Sequence, residues 1–136
     1  MEIAALVTWL LTAGGGFYLL YTWISHGGPR NRSTSRFPPA LIFGHFGLAA
    51  AGLLLWIIYV IVDSDALAWI ALILLLPVAL LGLTMFARWL PTYRARTSAA
   101  VADGPAERHF PVVTVGAHGV LAITTVVLVL ITVLQG

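Results

Sequence analysis

Cysteine is missing from this chain, and so is lysine. Without cysteine there can be no disulfide, no thiolate nucleophile and no thiolate metal ligand. All seven basic residues are arginines, a bias that points to a high-GC genome. Charge of either sign is scarce: 9% of the 136 residues are charged and 60% are hydrophobic. Soluble domains carry about 25% charged residues, so this chain cannot cover a globular surface with charge and belongs to the membrane class. No basic stripe with interleaved aromatics is present, which argues against nucleic acid as a partner. No phosphate-cradling glycine loop is present either. The run Gly14, Gly15, Gly16 falls inside an apolar stretch, where it reads as packing or a kink.

Four apolar stretches reach the roughly 20 residues that a spanning helix needs. They cover residues 3–24, 39–62, 66–90 and 111–134, and make 1–136 a single transmembrane domain. The first has Glu2 where a signal peptide has basic residues, so it reads as a retained span. Pro77 is expected to kink or loosen the third helix. The charges sort by side. Arg30, Arg32 and Arg36 separate the first two spans, and Arg88, Arg94, Arg96 and Arg108 surround the last connection, opposed only by Asp103 and Glu107. Glu2, Asp63 and Asp65 occupy the opposite side. The positive-inside rule assigns the arginine side to the cytoplasm and both termini to the outside. The expected location is a bacterial plasma membrane. The short link "DSD" makes the second and third helices antiparallel neighbours. The polar segment 91–110 reads as a mobile loop or a partner contact.

The second and fourth spans align without gaps at an offset of 73 (118 minus 45). Phe37 then matches Phe110, Pro38 matches Pro111, His45 matches His118, Leu48 matches Leu121 and Ala49 matches Ala122. A weaker echo joins the first and third spans, where Gly16 to Trp23 and Gly82 to Trp89 share the same spacing at an offset of 66 (82 minus 16). The expected fold is therefore all-α: a four-helix up-down bundle of two parallel two-helix repeats.

An ionisable side chain inside an apolar span marks a functional site by default. His26 and His109 fall at the expected cytoplasmic interface, whereas His45 and His118 lie inside. Each of the inner two is seven residues past its proline, roughly 10 Å deep at 1.5 Å per residue. With neighbouring helices about 8–10 Å apart, the second and fourth helices stand diagonally, roughly 11–14 Å apart. Two inward imidazoles on that diagonal can approach one metal from opposite sides. Small residues leave room for a flat macrocycle: Gly44, Gly47, Ala49 and Gly52 on one helix, Gly116, Gly119, Ala122 and Thr125 on the other. His45, Ala49, Gly52 and Trp56 follow one helical face; His118, Ala122, Thr125 and Val129 follow its counterpart. Arg36 and Arg108 stand just before the two Phe-Pro pairs, where haem propionates reaching the cytoplasmic edge would meet them.

Paired histidines at equal depth, glycine beside each and arginines at the membrane edge resemble the cytochrome b561-like four-helix membrane haem proteins. The resemblance implies one bis-histidine haem b held by His45 and His118, with Gly44, Gly119, Ala49, Ala122, Arg36 and Arg108 around it. It implies electron transfer with a quinol or a membrane or cytoplasmic partner, His26, Arg88 and His109 facing the quinone or propionates. The outer half has no histidine, so only one haem is supported, whereas such proteins often stack two.

Other readings compete. Glycine and alanine runs serve close helix packing, and a lone histidine can simply bond a neighbouring carbonyl. Trp9, Trp23, Trp56, Trp69 and Trp89 lie mostly near span ends, as in an aromatic belt. A non-haem metal or proton transporter would use all four histidines. An accessory subunit of a larger complex, or a homo-oligomer, would need no chemistry of its own.

Overall fold

The computed structural model describes residues 1–31, 33–97 and 104–136. Arg32, Asp103 and the middle of the 91–110 segment lie outside the described residues. The described residues contain four α-helices: α1 (Glu2–Ser25), α2 (Pro39–Val62), α3 (Asp65–Arg94) and α4 (Val112–Gln135). All four are long and apolar enough to cross a membrane. At 1.5 Å per residue the three 24-residue helices are about 36 Å long, more than a hydrocarbon core of about 30 Å.

Local chemistry sets the helix ends. Pro39 opens α2 at a position where a missing N–H costs nothing, and the Pro38 carbonyl accepts from Leu41 N–H at 2.9 Å. The Pro111 carbonyl does the same for Val115 N–H at 3.0 Å. Asp63 closes α2 in the left-handed region (φ 54°), donating its N–H to Tyr59 O, and Ser64 leads directly into α3. That two-residue link makes α2 and α3 antiparallel neighbours, as expected. After α1 the chain turns at Gly27 (φ +79°), and Gly28 passes so close to Trp23 that a Cβ would overlap the indole.

Two expectations need correction. The described part of 91–110 is largely helical: α3 runs on through Pro91 to Arg94, and 3-10 turns form at Ala95–Thr97 and Ala106–His109. The helix α3 continues through Pro77 as well as Pro91. The tryptophans are not a belt facing lipid. Trp9, Trp23, Trp56 and Trp89 are buried between helices, and Trp69 alone of the five is exposed.

Packing divides the bundle into two close pairs, α2 with α3 and α1 with α4, which meet each other less extensively. Helices α2 and α4 therefore face one another across the bundle. Two buried apolar clusters fill it. One joins Trp9, Trp56, Leu72, Leu75 and Val129 toward the end that carries Glu2, Asp63 and Asp65. The other joins Trp23, Phe37, Ile42, Trp89 and Phe110 toward the arginine end. Phe37 and Phe110, the matched phenylalanines, lie with ring centroids 5.9 Å apart.

Candidate functional site

Between the two apolar clusters lies a layer rich in glycine. Eight of the 13 glycines belong to it: Gly14, Gly15, Gly16, Gly44, Gly47, Gly82, Gly116 and Gly119. Apart from Gly14, each falls within a turn of His45 or His118 along its helix or has one of these residues within 4 Å of its Cβ position. The two imidazoles face each other across this layer with centroids 6.3 Å apart and planes at 63°.

Each ring is held in the same way. His45 Nδ1 is 3.0 Å from the Val78 carbonyl on α3, and His118 Nδ1 is 2.9 Å from the Thr12 carbonyl on α1. A carbonyl can only accept, so both Nδ1 atoms carry the proton. That tautomer leaves each Nε2 as an unprotonated lone pair, with no bond to a described residue. Such a bond is the usual support for a metal-bound histidine, because it fixes tautomer and ring angle. Glycine supplies the space beneath each ring. A Cβ at Gly16 would lie 3.1 Å from His118 Cε1, and one at Gly82 would lie 3.3 Å from His45 Cε1.

The structure thus brings His45 and His118 together, but their neighbours differ in role from the sequence reading. A Cβ at Gly44 or Gly119 would meet nothing within 4 Å, so these glycines border open space. Ala49 packs against the acidic-end core, and Ala122 is half-buried. The residues that seat the rings are Gly16, Gly82, Thr12 and Val78. The glycine echo at offset 66 was the one signal pointing to them, and the two carbonyl acceptors follow the same offset (78 minus 12).

The arginine end is a separate place. Gly82 to Thr92 is ten residues of α3, about 15 Å, with the Trp23, Phe37, Trp89 and Phe110 cluster between. There Arg36, Arg96 and Arg108 line a cleft of about 180 Å³. Glu107 is fully buried beside it and ties the two arginine-side connections together. Its carboxylate accepts from the Ser35 hydroxyl at 3.0 Å and from the Arg36 backbone N–H. Ser35 Oγ in turn accepts from Trp23 Nε1, and Arg88 donates to the Arg36 carbonyl. Sequence reasoning saw Glu107 only as a counter-charge.

His26 and His109 stack face to face at this end, centroids 3.8 Å apart and planes 13° from parallel. Burial lowers the pKa of His109, and His26, Arg108 and Arg96 lower it further. The four histidines therefore form two pairs and not one site. Among the described residues no group of three or more His, Cys, Asp or Glu could hold a metal ion.

No protein family, curated protein or solved structure matches the chain.

Proposed function

We propose that the chain is a small membrane b-type cytochrome in which His45 and His118 are the axial ligands of one haem b. The observation that carries this is the paired seat: two imidazoles 6.3 Å apart, each with Nδ1 on a carbonyl and Nε2 bonded to no described residue. Two metal–nitrogen bonds of about 2.0–2.1 Å, plus a ring radius of about 1.1 Å on each side, give a centroid separation of about 6 Å. With only two protein donors, a metal ion needs its remaining ligands from a macrocycle, as haem provides. The glycine layer and the looser meeting of the two helix pairs favour a flat group between them.

Bound haem supplies a one-electron iron couple. His45 and His118 would hold the iron, Val78 and Thr12 would fix their tautomer, and an apolar cluster on each side would keep water out. Electrons would pass to or from a quinol or a protein partner. In this reading the bundle is two parallel repeats, supported by the matched seats at offsets 73 and 66. The arginine end faces the cytoplasm of a bacterial cell. Since the chain has no cysteine, single-cysteine labelling of intact cells tests that orientation directly. A cysteine at Ser64 reacts with an impermeant reagent and one at Ser33 does not; the reverse pattern inverts the topology.

The deciding measurement is the absorption spectrum of protein purified from haem-supplied cells. A sharp Soret band with split visible bands on dithionite reduction is expected. A colourless but folded protein overturns the proposal. It would favour the accessory-subunit reading, in which the same two carbonyl bonds serve only to fasten α2 to α3 and α4 to α1.

A further inference from the structure

The cleft at the arginine end has features that the histidine site does not require. Arg36 comes from the α1–α2 connection, Arg96 from the turn after α3 and Arg108 from the turn before α4, so three separate segments bring arginines to one space. Thr92 also lines it, at 7% exposure, and its hydroxyl has no partner among the described residues. A helical threonine ordinarily returns its hydroxyl to a carbonyl of the preceding turn, as Thr22, Thr84 and Thr132 do here. A buried hydroxyl without a partner calls for a missing one.

Among the described residues the three cleft arginines outnumber the acids at this end. Glu107, the one described acid at this end, has both oxygens engaged by Ser35 and the Arg36 N–H. Arg96 is fixed over the Tyr93 ring, its guanidinium carbon 5.6 Å from the centroid, and Tyr93 stacks on Trp89. A planar guanidinium held this way suits the oxygens of a phosphate, which it can bind through paired hydrogen bonds.

We propose that this cleft binds a phosphate group, with Arg36, Arg96 and Arg108 taking its charged oxygens and Thr92 Oγ1 donating to one of them. The volume of about 180 Å³ is below the roughly 300–1,000 Å³ of pockets for drug-sized ligands. It therefore suits a headgroup-sized anion and not a nucleotide. The same chemistry is offered by the headgroup of an anionic phospholipid and by free phosphate. The aromatic layer between cleft and histidines makes the site independent of haem.

The test uses the full chain in detergent. Binding is measured by calorimetry at constant ionic strength with two probes, inorganic phosphate and a short-chain phosphatidylglycerol. Phosphatidylcholine of equal chain length, its phosphate balanced by choline, is the control. Saturable binding of either probe is expected, weakened about tenfold or more by Arg96→Gln or Arg108→Gln. Thr92→Val should weaken it several-fold, and Arg30→Gln, outside the cleft, should leave it unchanged. Binding of both probes identifies the phosphate group itself as the ligand; binding of phosphatidylglycerol alone identifies a lipid headgroup. The proposal fails if neither probe saturates, if phosphatidylcholine binds equally, or if Arg30→Gln matters as much as Arg96→Gln. Circular dichroism of each variant confirms that lost binding is not lost folding.

Discussion

The molecule holds two histidine pairs, and they are built to opposite plans. His26 and His109 stack 3.8 Å apart, in van der Waals contact, at the exposed arginine end. His45 and His118 sit deeper, 6.3 Å apart, each turned by a carbonyl of the neighbouring helix and given room by a glycine. Nothing fits between the first pair. The second pair leaves 6.3 Å between ring centroids and is held in the tautomer that exposes a lone pair. Residue type alone does not separate these pairs; ring spacing and the partner of Nδ1 do.

The sharpest way to break the comparison is to remove one ring at a time. His45→Ala and His118→Ala should each reduce the Soret absorbance to near zero, because one axial nitrogen cannot make a six-coordinate low-spin centre. His26→Ala and His109→Ala should leave it intact. His45→Asn keeps an amide donor near the position of Nδ1, within reach of the Val78 carbonyl, but offers no imidazole. Retained haem in that variant would show that the ring is architectural and not a ligand.

Next in size is the glycine seat. Gly16→Leu and Gly82→Leu place bulk where Cε1 of a histidine already lies 3.1 and 3.3 Å from a Cβ. Over-packing of this kind costs about 1–3 kcal/mol and should displace the ring, lowering both thermal stability and haem content. Gly44→Leu and Gly119→Leu point into open space. They should spare the stability of the haem-free protein while excluding the macrocycle. Equal destabilisation by all four variants would show that the glycines serve helix packing alone.

The span count, the diagonal of α2 and α4 and the meeting of His45 with His118 were legible because hydropathy and residue spacing encode depth and connectivity. The partners of the rings were not. Thr12 and Val78 act through backbone carbonyls, and a carbonyl leaves no mark on residue type. The tryptophans were misread for a related reason. Position along the helix axis places an indole near a membrane surface, but its angle around the axis decides between lipid and neighbour. The tying role of Glu107 was not legible because its partners Ser35 and Arg36 are 72 and 71 residues away.

A smaller effect separates the two helix pairs. Thr125 donates to the Leu121 carbonyl and lies 3.1 Å from the Thr8 hydroxyl and 3.4 Å from that of Thr12. The matching positions in the α2–α3 pair are Gly52 (125 minus 73) and Leu74 (8 plus 66). Threonine bonding between helices thus fastens α1 to α4 alone. Hydrogen bonds between membrane helices average about 0.6 kcal/mol. Thr125→Val should therefore lower unfolding stability in detergent by about that much and leave the spectrum unchanged. A shifted Soret band would mean that the hydroxyls reach the histidine layer through Thr12.

The smallest effect expected is on the exposed pair, and it depends on pH. The His109 pKa is depressed, first by burial and then by His26, Arg108 and Arg96. Its stack with His26 is therefore intact above the free-histidine value of about 6.5. Its contribution to stability is lost as pH falls through the depressed value, because the unfolded chain takes up the proton more readily. Titration of the imidazole carbon resonances should place His109 below about 6.5, and His109→Asn should flatten the acid limb of the stability curve. Saturating phosphate should raise the His109 midpoint, since an anion beside Arg96 and Arg108 offsets two of the charges that depress it. A midpoint unmoved by phosphate, with the cleft shown to be filled, would mean that the stack and not the arginines controls this histidine.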